Sequence, residues 1–267
     1  MDTVVFQKFR RIVYDRSGIY INENKVALIS ARVGKRMREL GIDDHKEYLN
    51  FLLGDTTDSE IVNLLDVIST NVTSFFREGQ HFEFISSTLD KWYNDGQRKF
   101  RFWSAASSTG EEPFTLAMTI ADKLSNRDAD VRILATDIST RVLKKCIEGV
   151  YSYQSMANVP QKFITRFFNK LETGGKRNFV VNEELRNMVT FSRLNLSKPP
   201  FLMRGPFDAV FCRNVMIYFD NQVRQRLLEE IYRLIKPGGY LFVGHAESLT
   251  GILSGFKSVM PSVYCKA

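Results

Sequence analysis

The chain has 267 residues, 44% hydrophobic and 25% charged, with a formal net charge of +7. That composition excludes a disordered or fibrous protein, and the length suits one large domain or two unequal ones. The basic balance favours anionic partners without choosing among nucleic acid, acidic protein surfaces and anionic lipid.

Cys146, Cys212 and Cys265 are widely spaced and form no CxxC pair, so neither a disulfide framework nor a zinc site is expected. The opening MDTVVFQKFRRIVYDRSG has no apolar run before a small-residue cleavage site. No segment reaches the ~18 apolar residues of a membrane span. A cytoplasmic protein with no membrane insertion is expected, with no metal.

Residues 1 to about 88 read as helical. Residues 25–38 place Val26, Ile29, Val33 and Met37 at helical spacing, and Gly41 closes the segment. Residues 44–53 and 58–69 give two shorter amphipathic patterns. The expected layout is a helical domain over 1–80 with a linker to about 95.

From about residue 96 strands alternate with helices. RKFRFWSAAS reads as a strand entering a turn, and GEEPFTLAMTIADKL as a helix with Pro113 in its first turn. VRILATD is a strand, and ISTRVLKKCIEG a helix closed by Gly149. NMVTFSRLNL and FDAVFCRNV are strands. NQVRQRLLEEIYRLI is a helix with Asn221 as N-cap, KPGG a turn, and YLFVGHAES a fifth strand. This is the pattern of a doubly wound, Rossmann-like α/β domain over 96–267. Residues 151–190 break the alternation. A helical pattern, PQKFITRFFNKL, precedes the turn ETGGKRN and the strand FVVN, which reads as an inserted small β-subdomain.

In such a sheet ligands bind beyond the carboxyl ends of the strands. After the first strand come the small residues Ser104–Gly110 and then Glu111 and Glu112, at a helix start. No loop lysine is present, which argues against a nucleoside triphosphate. After the second strand stands Asp137, suited either to two ribose hydroxyls or to capping the next helix. Asn195 and Leu196 follow the third strand, placed to bracket an adenine ring. Arg213 and Asn214 follow the fourth, ahead of Tyr218 and Phe219. Before the sheet, residues 70–78 (TNVTSFFRE) mix polar side chains with paired phenylalanines that also suit a domain anchor.

The segments TNVTSFFRE, WSAASSTGEEPFTLAM, ATDISTRVLKKCIEGVY, FDAVFCRNVMIYFD and LIKPGGYLFVGHAESL together resemble the chemotaxis receptor glutamate methyltransferase family. The resemblance covers most of residues 68–248 and, by texture, the helices before it. It implies an S-adenosylmethionine-dependent methyltransferase domain behind a small all-helical one, esterifying receptor glutamates and leaving S-adenosylhomocysteine. It implies cofactor contacts from Asn71, Thr73, Arg77, Glu112, Asp137, Asn195, Leu196, Arg213 and Asn214, with the choice between Glu111 and Glu112 open. It places Arg77 and Tyr218 near the reacting centre. In some family members the β-subdomain docks a short peptide from the receptor C-terminus, which makes residues 151–190 a candidate dock.

A glutamate is already ionised at neutral pH, so methyl transfer to it needs orientation and desolvation rather than a general base. The three histidines form no triad-like pattern, which agrees. Tyr218 suits a donor to one carboxylate oxygen, and Arg77 an orienting cation. The basic stretch containing Arg32, Lys35 and Arg36 is a candidate face for the glutamate-rich cytoplasmic helices of receptors. A nucleic-acid methyltransferase is the main rival, yet Lys198-Pro199-Pro200-Phe201 follows the wrong strand and lacks the Asp or Asn that holds an exocyclic amine. No nucleic-acid partner is expected. A silent module with damaged cleft motifs is a second rival, and the motifs are intact.

Overall fold

Helix α1 (Thr3–Ser17) begins where the Asp2 side chain accepts from the Val5 amide and ends at Gly18 in a left-handed conformation. α2 (Val26–Leu40) buries Ile29, Val33 and Met37 and stops at left-handed Gly41. α3 (His45–Gly54) is capped by Asp44, and α4 (Ser59–Ile68) follows. Phe6, Phe9, Val33, Tyr48, Leu64 and Leu65 close a core of their own among these helices. This computed structural model describes residues 1–57, 59–69, 71–173, 175–247, 249 and 255–267. Asp58 and Thr70, each the first residue of a segment read from sequence, and Ser248 at the end of the fifth expected strand, lie outside the described residues.

The stretch read as a linker contains a helix, α5 (Gln80–Asn94), whose Phe82, Ile85, Leu89 and Trp92 pack into the sheet core rather than the helical bundle. Next come β1 (Lys99–Ser104), α6 (Glu111–Lys123), β2 (Asp130–Asp137) and α7 (Thr140–Glu148). The insertion holds β3 (Val150–Ser152), α8 (Gln161–Phe167), β4 (Phe168–Thr173), β5 (Lys176–Val181) and α9 (Glu183–Arg186). The chain closes with β6 (Val189–Arg193), β7 (Phe207–Cys212), α10 (Asn221–Leu234), β8 (Ile235–Val243), β9 (Phe256–Met260) and β10 (Val263–Lys266).

The main sheet runs β6-β2-β1-β7-β8-β10-β9. It is parallel from β6 to β8, while β10 and β9 run antiparallel at one edge. Every residue of β7 is buried, as a central parallel strand covered on both faces requires. The chain order reverses about β1, which pairs with β2 on one side and β7 on the other, and that is where a doubly wound sheet opens a ligand crevice.

Some readings from sequence need correction. The helical pattern at 160–171 stops at Phe167, and Phe168 onward pairs antiparallel with β5 in the three-stranded sheet β3-β5-β4. Strand pairing across a tight hairpin overrides a helical spacing only two turns long. The cap of α10 is Asp220, not Asn221, because its Oδ1 accepts from the Val223 amide at 2.8 Å. KPGG lies within β8 rather than before it. β9 and β10 were not anticipated.

Candidate active site

The crevice beyond β1, β2 and β7 is a cleft of about 1020 Å³ including its open mouth. Asn71, Thr73, Arg77, Glu112, Asp137, Asn195, Leu196, Arg213, Asn214 and Tyr218, the ten residues singled out from sequence, all line it. Glu111 does not: its carboxylate accepts from the Thr109 hydroxyl at 2.6 Å, away from the cleft. Of the two adjacent acids, Glu112 is therefore the one that lines the cleft.

Asp137 ends β2 and is buried. Its two oxygens accept from the amides of Ser139 and Ser108, each at 2.9 Å. Two carboxylate oxygens offer about four acceptor sites, so about two remain toward the cleft. Burial pushes its pKa up to about 6 against the pull of the Ser139, Ser108 and Ile138 amides. The N-cap of α7 is Ser139, not Asp137. The loop that brings Ser108 here turns at Gly110, φ +99°, where a Cβ would meet the Tyr151 hydroxyl at 2.5 Å.

Arg213, just past β7, is buried with its guanidinium held between two acids. Nη1 donates to Glu112 at 3.0 Å, Nη2 to Glu78 at 3.0 Å and to the Arg77 carbonyl, and Nε to Glu78 at 3.3 Å. Four of its five N–H groups are thereby engaged, leaving one Nη1–H for a ligand. Glu112 also accepts from the Ser104 hydroxyl at 2.7 Å, and burial raises its pKa. Glu78 is held below its ordinary range: burial opposes this, but the Arg213 charge and hydrogen bonds outweigh it. Beside Glu78 sits His81, wholly buried, whose pKa burial and the Arg213 charge lower to about 4.

The loop after β7 owes its shape to a residue that sequence reasoning passed over. Buried Glu247 accepts from the amides of Asn214 at 2.8 Å, Gly244 at 2.7 Å and Ile217 at 3.2 Å. Asn214 is held at φ 58°, uncommon for a non-glycine residue, and a Cβ on Gly244 would strike the Asn214 amide. The only sequence signal was an acid in the turn after a buried strand. Glu78, Ser104 and Ser108 were likewise visible only as neighbours of residues already chosen.

The helical region roofs the cleft. Ser17, Ile19, Ile68 and Ser69 line it. The Tyr20 amide donates to the Tyr218 carbonyl at 2.7 Å, Ile19 bridges Phe219, and the Tyr14 hydroxyl donates to Asp220 at 2.6 Å. The Asn195 amide is drawn into this contact: its Nδ2 donates to the Arg16 carbonyl at 2.7 Å, and its Oδ1 accepts from Ser197. One Asn195 N–H is left without a partner among the described residues.

Asn71 Nδ2 is a buried donor without a partner among the described residues, in the cleft wall. An orphaned donor, acids with spare acceptor sites and small residues such as Ala105 and Ala106 fit a hydroxyl-rich, partly cationic nucleoside. S-adenosylmethionine meets that description. Arg77 is exposed at the rim and donates to the Val72 carbonyl at 3.1 Å. Tyr218 is half-buried, its hydroxyl without a hydrogen-bond partner among the described residues.

The basic face of α2 is narrower than its sequence suggests. Arg36 forms a two-pronged pair with Glu60, Nη2 to Oε2 at 2.6 Å and Nε to Oε1 at 2.9 Å, and also reaches Glu39. Its charge is largely matched inside the helical region, which leaves less of it for a partner. Arg32 donates to the Ile68 carbonyl. Lys35 and Arg38 point to solvent.

Residues 5–69 match the family described as CheR methyltransferase, all-alpha domain, and residues 71–265 match CheR methyltransferase, SAM binding domain. The chain is similar to the chemotaxis protein methyltransferase of Escherichia coli K12, 37% identical over 260 residues, covering 97% of this chain and 89% of that protein. It is similar to the one from Borreliella burgdorferi at 37% identity, covering 96% and 92%. Among solved structures, TrmN from Thermus thermophilus overlaps 68% of this chain and 48% of that one, at 13% identity and a TM-score of 0.40.

Proposed function

Because the chain belongs to the CheR methyltransferase family, we propose that its cleft binds S-adenosylmethionine and transfers the methyl group to glutamate side chains of chemotaxis receptors, forming methyl esters. The carrying observation is the convergence of Asp137, Glu112, Asn71 and Tyr218 on one cleft at the switch point of the sheet.

Asp137 takes the ribose hydroxyls with its spare acceptor sites. Glu112, fixed by Ser104 and Arg213, faces the cofactor's ammonium group. Asn71 Nδ2 and the free Arg213 N–H supply donors, and Leu196 and Asn195 flank the adenine. The bound cofactor supplies a methyl group made electrophilic by its sulfonium.

The target glutamate arrives as a carboxylate and needs no base. Tyr218 holds one of its oxygens by hydrogen bond, leaving the other free to attack in line. Arg77, at the rim, draws the acidic segment in and orients it. A tight ion pair with the nucleophile would blunt it, so the exposed charge of Arg77 suits steering better than clamping.

Receptor helices lie along the exposed basic face of α2 that carries Lys35 and Arg38, and the enzyme works in the cytoplasm, on the side of the membrane where those helices are. The inserted sheet offers β4 as a free edge to which an extended receptor peptide can add. The test is transfer of labelled methyl from S-adenosylmethionine to a receptor cytoplasmic fragment. Label released by alkali as methanol establishes the ester. Label in nucleic acid, or cofactor binding with no transfer, rejects it. Arg77→Ala should slow transfer and raise KM for receptor more than it weakens cofactor binding.

A further inference from the structure

His81 is the one fully buried imidazole among the described residues, and neither of its ring nitrogens has a hydrogen-bond partner. A neutral imidazole carries one N–H and one lone pair, so both are left unpaired in a region that water does not reach. Two other groups converge on it. Glu78 lies one turn earlier, with Oε2 3.6 Å from His81 Nδ1, and His245, after β8, places Nε2 4.0 Å from the same oxygen. One ligating atom from each lies within 4.8 Å of the others.

These separations are close to what a small cation needs. Bonds of about 2.0–2.1 Å in tetrahedral geometry place ligand atoms roughly 3.3–3.5 Å apart. His245 is half-exposed, so its ring can close the longest edge and leave a solvent-facing position open. The local charge also suits a cation, since the two acids Glu78 and Glu112 outnumber the single cation Arg213 between them. Arg213 already places both Nη2 and Nε on Oε2, so an ion that takes this oxygen must displace one of those hydrogen bonds.

We propose that Glu78, His81 and His245 form a binding site for a divalent transition-metal ion of the zinc class behind the cofactor cleft, and that occupation of this site weakens cofactor binding. The ligands come from positions 78, 81 and 245, so no motif in the sequence announces them. The second half follows from the shared oxygen. Glu78 Oε2 holds Arg213, and Arg213 holds Glu112 and the Arg77 carbonyl. An ion on Oε2 draws electron density from that hydrogen bond and loosens the clamp on which the cleft wall depends. The site itself does not depend on the methyltransferase reading; its effect on the cleft does.

The test uses the full chain, stripped with a chelator and titrated with Co²⁺, whose tetrahedral complexes absorb visibly. A saturable band displaced by Zn²⁺, and at least about tenfold weaker binding in His245→Ala, are expected. His245→Ala removes a half-exposed ring and keeps the backbone N–H that Glu78 accepts. No tetrahedral band, a band unchanged in His245→Ala, or one with the thiolate charge transfer of a Cys265 complex would overturn the site. S-adenosylhomocysteine affinity, measured by calorimetry, should fall severalfold in Zn²⁺ and recover with chelator in the native chain but not change in His245→Ala. Cofactor affinity indifferent to a bound ion would overturn the second half. A band in a chain that binds no cofactor would support the site while rejecting the methyltransferase reading.

Discussion

Glu60 in the helical region and Asp137 at the sheet edge are both buried acids, yet their surroundings differ. Glu60 accepts from Arg36, from the Tyr48 hydroxyl at 2.7 Å and from Asn63 at 3.1 Å. Burial would raise its pKa, but these partners hold it below the ordinary range. Asp137 has only backbone amides and no cation among its described partners, and burial wins. An acid whose acceptor sites are filled from within belongs to the architecture. One left charged, buried and partly unfilled is prepared for something that arrives later. The same contrast separates Arg36, paired with two acids of its own domain, from Arg77, which at the exposed rim meets only the Val72 carbonyl among the described residues.

The sharpest way to break this contrast is Asp137→Ala. Loss of two charge-assisted hydrogen bonds should weaken S-adenosylhomocysteine binding by about 100-fold or more in calorimetry. Acid should mimic the substitution. As pH falls from 8 through about 6 the carboxylate protonates and affinity drops. Stability responds with the opposite sign. The folded pKa lies above the ordinary 3.8, so the folded state binds this proton more tightly than the unfolded one. The contribution of Asp137 to stability therefore rises as pH falls through about 6 toward 3.8.

Arg36→Ala tests the other side. It leaves Glu60 buried without its cation and should lower unfolding free energy by about 3 kcal/mol in denaturant titration. Cofactor affinity should not change. A receptor-binding defect without loss of stability would mark Arg36 as a contact. Tyr218→Phe removes one donor to the attacking carboxylate and should cut kcat about tenfold with cofactor affinity intact. The smallest effect is expected from Tyr14→Phe, which deletes the bond to Asp220. It should cost about 1 kcal/mol of stability and speed cofactor dissociation in stopped flow.

The sequence shows the alternation of strands and helices because a covered parallel sheet demands apolar runs and each crossover helix demands its stripe. The cleft residues are legible for a related reason: they fall just past strand ends, where topology puts ligands. What was hidden depends on distant pairing. Nothing local distinguishes Arg36, which meets Glu60 across the bundle, from Lys35 beside it. Glu247 shapes the loop at Asn214 only once two strand ends are adjacent. Residues 80–94 carry a helical spacing, but their partner is the sheet that follows, so their role is invisible before the fold closes.

The roof over the cleft has a thermodynamic consequence. Arg32 on α2 holds the Ile68 carbonyl, and Ile68 lines the cavity beside Ser17 and Ile19. If receptor helices lie on α2 as proposed, they press on the wall that encloses the cofactor, and the two binding equilibria become coupled. Coupling of this kind is reciprocal. Whatever factor the cofactor contributes to receptor affinity, the receptor returns to cofactor affinity, and exchange of spent cofactor for fresh becomes a function of whether a receptor is in place.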